Sequence, residues 1–193
     1  IMRIGGDGKA VALASSPNAR DGARTTHQCF DETHRHVLPH LKAAHRTLLA
    51  NIPKRMGSDA WSLEITTSYL PGENSVAEDT HEYAKAVHDG RVKDSRLFFF
   101  HRQAAAERLI TDANGDIDRE LVKAAVIEAS GPVASWSDID AIADQFLDPT
   151  ADLAYLRRVW LNQPVQSAQR AFNVERWRAL AQERTVEAGS QIA

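Results

Sequence analysis

A chain of 193 residues with 43% hydrophobic and 25% charged residues has enough apolar material for one core, or for one domain and part of another. Its single cysteine excludes a disulfide framework, and no run approaches the roughly 18 consecutive apolar residues of a membrane span. The net charge of −3 excludes a uniformly basic surface, but residues 112–148 hold 9 acids against Arg119 and Lys123, while residues 152–184 hold 6 arginines against 3 acids; two solvated faces are the ordinary meaning of such asymmetry.

Ile1-Met2-Arg3-Ile4 does not begin a signal peptide, so a cytosolic protein is expected. Gly5-Gly6-Asp7-Gly8-Lys9 invites a phosphate-loop reading, but Arg3 stands where the first glycine of a Walker A loop is required and Ala10 where its Ser or Thr is required. Asp7-Gly8 reads better as a hairpin turn leading into a short strand over 9–14, which stops at Ser15-Ser16-Pro17. Residues 18–24 form a turn-rich loop in which Arg20 and Arg24 flank Asp21-Gly22. The first half of the stretch 25–34 then reads as a short buried strand, with Cys29 a small core residue, that ends on Asp31 and Glu32. Ligands of open α/β sheets bind outside the carboxyl ends of the strands, so the two acids suit a metal and an activated water; equally, Asp31 suits a helix cap and Glu32 its first turn.

Val37, Leu38, Leu41, Ala44, Leu48, Leu49 and Ile52 make one apolar stripe, which predicts a helix of about five turns ending before Pro53. His36 and His40 are four apart on it, the spacing of a zinc pair, but no His-Glu-x-x-His and no second ligand cluster accompany them. A second strand over 61–66 runs into Thr66-Thr67-Ser68; with one helix between the strands, a right-handed crossover would bring these hydroxyls to the edge where Asp31 and Glu32 emerge. Residues 74–89 predict a polar helix ending at Gly90, and 96–101, with Phe98-Phe99-Phe100, a third buried strand. From Ile117 the patterning is helical: Ile139, Ile142, Ala143 and Phe146 on a helix capped by Ser137 or Asp138, Leu153, Leu156, Val159 and Trp160 on one begun near Asp148-Pro149, and Trp177 and Leu180 on a last one. The polar tail after Arg184 has no periodicity.

Several of these stretches together resemble the large subunit of a tailed-bacteriophage terminase, the ATPase of a DNA-packaging motor. They are Arg20-Asp21-Gly22, Phe30-Asp31-Glu32-Thr33-His34-Arg35, Thr66-Thr67-Ser68, Tyr69-Leu70-Pro71-Gly72-Glu73-Asn74-Ser75-Val76 and Trp160-Leu161-Asn162-Gln163, and the resemblance covers most of the chain. It implies an α/β fold: the C-terminal half of a RecA-like P-loop ATPase sheet over 1–111, an all-helical linker subdomain over 112–184, and a tail or cut linker over 185–193. Asp31 would be the Walker B aspartate that holds Mg²⁺, Glu32 the catalytic glutamate, and Thr66, Thr67 and Ser68 the coupling motif. Arg20 would be an arginine finger reaching a neighbouring subunit's ATP, with Arg24 and Arg35 as weaker candidates. The implied partners are double-stranded DNA, a terminase small subunit, the portal of a procapsid and further copies in a ring, in the host cytoplasm. The linker arginines Arg157, Arg158, Arg170, Arg176 and Arg178 would face solvent, DNA or a neighbour. No Walker A loop and no acidic nuclease cluster lie within the 193 residues, so the chain looks like an internal fragment, with no ATPase activity expected of it alone. Two other classes fit the motifs: a helicase, through Asp31-Glu32-Thr33-His34, and an interaction module whose acids only cap a helix.

Overall fold

The computed structural model describes residues 5, 6, 8–13, 25–55 and 57–166. Among them lies one two-stranded parallel sheet, β1 (His27–Asp31) and β2 (Trp61–Ile65), with five α-helices. The strands pair in register from His27 opposite Trp61 to Asp31 opposite Ile65. Alternation along a strand sends successive side chains to opposite faces. One face carries Gln28 and Phe30, both buried, with half-buried Ser62 and Glu64; the other carries His27, Cys29, Asp31, Trp61, Leu63 and Ile65, all exposed. Cys29 is thus not a core residue, because its register position puts it on the open face.

Helices α1 (Pro39–Leu49) and α2 (Val76–His88) cover the first face. Glu64 fastens both of them: one carboxylate oxygen lies 2.9 Å from His45 Nε2 of α1, and the other accepts from Thr80 Oγ1 of α2 at 2.9 Å. Phe30 packs its ring against His45 at 4.4 Å, and Gln28 Nε2 donates to the Leu48 carbonyl at 2.8 Å. The α1 helix is shorter than the apolar stripe predicts. Leu38 is extended and Pro39 is the first helical residue, as steric exclusion before a proline and the missing proline N–H require. Val37 therefore lies in a turn, and Ile52 in a separate 3-10 helix, Ile52–Lys54. Ser75 caps α2 by accepting from Glu78 N, while the Glu78 carboxylate takes the amides of Gly72 and Asn74, each at 2.7 Å.

Two expected strands do not form. Residues 10–13 have no regular structure, and Val11 and Leu13 are exposed; residues 96–101 run without a ladder, leaving Phe98 88% and Phe100 69% exposed. An apolar run becomes a strand only where a neighbour supplies the hydrogen bonds, and among the described residues β1 and β2 bond only each other.

The helical unit has its own core. Helices α3 (Arg119–Ser130), α4 (Ile139–Phe146) and α5 (Leu153–Trp160) enclose Val122, Val126, Ile142, Phe146 and Leu156. Ala104 and Ile110, from before residue 112, belong to that core too. Aspartates start all three helices: Asp118, Asp138 and Asp152 accept from Leu121 N, Ala141 N and Tyr155 N at 2.9, 3.0 and 3.1 Å. Of the two expected caps of α4, Asp138 is used, and Ser137 Oγ donates to the Val133 carbonyl instead. Asp148 closes a turn on Thr150, so α5 begins later than Asp148-Pro149 suggests. Asn162 and Gln163 pin the approach to the unit, donating to the carbonyls of Arg102, Ala104 and Ala105.

Candidate active site at the sheet edge

The parallel register determines what meets at the carboxyl edge of the sheet. Because Asp31 pairs with Ile65, the acids that follow β1 and the hydroxyls that follow β2 leave from the same edge. The last rung is the Glu32 N–H donating to the Ile65 carbonyl at 2.8 Å. Glu32 itself is left-handed, with φ 55° and ψ 43°, a conformation that L-residues other than Asn and Asp adopt rarely. This single residue turns the chain out of the strand into a 3-10 helix, Thr33–Arg35. Neither acid caps a helix: the Glu32 side chain makes no cap bond to that turn, and α1 starts later, from Leu38.

His34 joins the two strand ends. Its N–H donates to Thr66 Oγ1 at 3.0 Å, and its Nδ1 lies 2.9 Å from the same oxygen, 3.2 Å from Glu32 Oε2 and 3.4 Å from Thr67 Oγ1. The Thr66 hydroxyl spends its proton on the Thr67 carbonyl at 2.9 Å. Thr66 Oγ1 is consequently an acceptor towards His34, which assigns the proton to Nδ1 and leaves Nε2 as an acceptor. Burial holds the imidazole below its usual pKa; Glu32 opposes that shift, Arg35 and Arg158 add to it, and Glu73 opposes it. Near neutral pH His34 is therefore uncharged, hydrogen-bonded to Thr66 and in close contact with the Glu32 carboxylate, whose side chain remains 50% exposed.

The Asp31 side chain is exposed and makes no hydrogen bond or ion pair among the described residues. No group of three or more His, Cys, Asp or Glu side chains there could hold a metal ion, His36 and His40 included. One free carboxylate does not cage an ion, but it fits Mg²⁺, which is commonly held by one or two carboxylates, phosphate oxygens and water. Thr67 is half-buried, and Ser68 is 5% exposed with its Oγ unpartnered. Arg20 and Arg24 lie outside the described residues, as do Arg170, Arg176, Arg178, Trp177 and Leu180.

Beside this edge is a cleft of about 280 Å³. The sheet side supplies His34, Arg35, Thr67 and Ser68, and α5 supplies Tyr155, Arg158 and Val159. The sequence alone assigned His34 no role beside the hydroxyls after β2 and did not connect Arg158 to the acids. The Leu38-Pro39 step, which separates His34 from α1, was a local signal for the first; nothing local signals the second, which depends on how α5 lies against the sheet edge. Comparison of the chain with protein-family models, with curated proteins and with solved structures gave no match.

Proposed function

We propose that this edge is the hydrolytic half of an ATP site, and that the chain is part of a DNA-packaging ATPase of the terminase large-subunit kind, its C-terminal RecA-like ATPase half and helical linker. The observation that carries the reading is the meeting of Asp31-Glu32 and Thr66-Thr67-Ser68 at one sheet edge, joined through His34. Bound with the nucleotide, Mg²⁺ supplies charge neutralisation on the phosphates; the free Asp31 carboxylate is the group that would hold it. Glu32 orients the attacking water and receives its proton, with the His34 imidazole lying against one carboxylate oxygen and the other left for water. Thr66 and Thr67, bonded to the same imidazole, feel any movement of Glu32 and pass it along the segment after β2. The helical character of α3, α4 and α5 favours this reading over a helicase, whose second sheet would occupy that part of the chain. Double-stranded DNA, held through its phosphates, a small subunit, a procapsid portal and further copies in a ring are the partners that the reading entails, Arg20 being the residue offered to a neighbouring ATP.

The test uses a longer parent polypeptide that carries a phosphate-binding loop. Glu32→Gln keeps the shape and removes the base, so ATP affinity should persist while turnover falls by roughly 10² or more. Asp31→Ala should weaken Mg²⁺-dependent nucleotide binding as well. Full turnover in the Gln variant would sink the assignment.

A further inference from the structure

Residues 89–118 connect α2 to α3, and this connector is fastened at both ends. Near α2, Arg91 N and Val92 N donate to the Ala86 carbonyl, and Asp94 accepts from Tyr83 Oη at 3.0 Å. Towards the helical unit, Ala104 N donates to the Leu161 carbonyl at 3.0 Å and Asn162 Nδ2 to that of Arg102 at 2.6 Å. Between these anchors, residues 97–101 make no backbone–backbone hydrogen bond among the described residues. Their hold on α2 is a cluster of rings. His81 of α2 has Phe99 at 5.3 Å and His101 at 5.2 Å, centroid to centroid, tilted by 33° and 35°. Tyr69 stands edge-on to it at 5.6 Å, with its Oη 3.2 Å from His81 Nδ1. Phe99 and His101, two residues apart, thus face α2, while Phe98 and Phe100 are 88% and 69% exposed, an alternation of period two without a sheet.

Two imidazoles in one half-buried cluster make its closure depend on charge. Neutral, they pack as other aromatic rings do. Burial is the first reason that His81 is held below its usual pKa; His101 adds to the depression, Glu82 opposes it and Lys85 adds to it. Glu82 and Lys85 belong to α2 itself, whereas the segment after β2 brings Tyr69 and the connector brings His101. Neither imidazole forms an ion pair with a carboxylate among the described residues. The facing Phe99 is 41% exposed, so a cation–π contact gives an imidazolium little compensation there. A histidine whose pKa is lower in the closed cluster than in the released chain binds more protons once released, so acid favours release. Closure is at full strength above the ordinary value of 6.5 and is lost as pH falls through the lowered one.

We propose that His81 and His101 form a pH-sensitive clasp, closed near neutral pH, that holds the phenylalanine run against α2 and lets it go in mild acid. Release frees Phe99 to join Phe98 and Phe100 as one exposed apolar stretch, on a connector whose far end stays tied to the helical unit by Asn162. The clasp uses none of the sheet-edge residues and stands apart from the ATPase reading.

Proton NMR of the 193-residue chain, titrated from about pH 7.5 to about pH 5, tests it. Nuclear Overhauser contacts between the His81 and Phe99 rings should be present at the upper end and weaken by roughly fivefold or more at the lower, reversibly and in step with titration of the two imidazoles. The methyl signals of Val126 in the helical core should meanwhile keep their folded shifts. His81→Phe keeps an aromatic ring without a titrating group, so its contact with Phe99 should be the same at both ends of the range. His101→Phe removes the second charge and should shrink the loss to roughly twofold. His88→Gln, on the same helix but outside the cluster, should change nothing. The proposal is overturned by a His81–Phe99 contact that survives with both imidazoles protonated, or by an equal loss in His81→Phe. A loss accompanied by collapse of the Val126 signals overturns it too, because the event is then unfolding of the whole chain.

Discussion

Glu32 bears two demands at once. Its backbone must be left-handed to turn the strand into the 3-10 helix, and its side chain must stay within 3.2 Å of His34 Nδ1. A non-glycine residue in that region carries on the order of 1–2 kcal/mol of strain. The carboxylate contact is half exposed, so it returns only about 0–1 kcal/mol. Comparing Glu32→Ala with Glu32→Gly separates the terms, since both remove the carboxylate and only glycine relieves the backbone. The glycine variant should be the more stable by about 1 kcal/mol in urea denaturation. Equal stabilities would mean that the left-handed turn is not strained. A residue kept against local backbone preference at a sheet edge is where function is expected to be stored, an argument from conformation that the residue type alone does not make. Asp31-Glu32 was visible in sequence as a pair of acids at a strand end; the left-handed turn was not, because glutamate carries no propensity for it.

At the scale of elements, Glu64 holds the α/β part together, bonded to His45 of α1 and to Thr80 of α2 from the middle of β2. Truncation leaves buried His45 and half-buried Thr80 without this acceptor. Glu64→Ala should cost about 2–3 kcal/mol at pH 7, whereas Glu64→Gln, which keeps an acceptor oxygen and a polar end, should cost about 1 kcal/mol; guanidinium unfolding of the two variants measures the difference. A loss below 0.5 kcal/mol in the Ala variant, within the range of ordinary surface changes, would show that the helices are held by packing alone. The elements most legible in sequence were those with local stop and start chemistry: α2 between Ser75 and Gly90, and α4 behind Asp138. The same chemistry, unread, corrected α1 at Pro39. It also placed a small hairpin at Asp112, Asn114 and Gly115, where Thr111 bridges Ile117 and Asp112 takes the amides of Asn114 and Asp116. What local chemistry does not carry is pairing, and so Phe98-Phe99-Phe100 read as a strand although no ladder receives it.

For the whole molecule, the two units differ in how they are closed. The helical unit buries Val122, Val126, Phe146 and Leu161 almost completely, while the sheet leaves Trp61 54%, Leu63 39% and Ile65 51% exposed on one side. Parallel sheets are characteristically covered on both faces, because their strands carry apolar residues on each. Here the covered face is the more polar one, with Gln28, Ser62 and Glu64, and the open face is the more apolar. Two strands have no independent stability, so among the described residues β1 and β2 are held by α1 and α2 from one side only. The open face should behave as an apolar patch that binds a hydrophobic reporter dye in the folded chain. Leu63→Lys removes its centre without touching the side that carries Glu64. Dye fluorescence should fall, and unfolding stability should change by less than about 0.5 kcal/mol, the range expected of a surface substitution. Val126→Lys places the same charge in the closed core of the helical unit and should cost about 4 kcal/mol or more, with dye binding rising as that core opens. If Leu63→Lys instead lost 2 kcal/mol or more with dye binding unchanged, the face would be covered in solution, and the asymmetry between the two units would not hold.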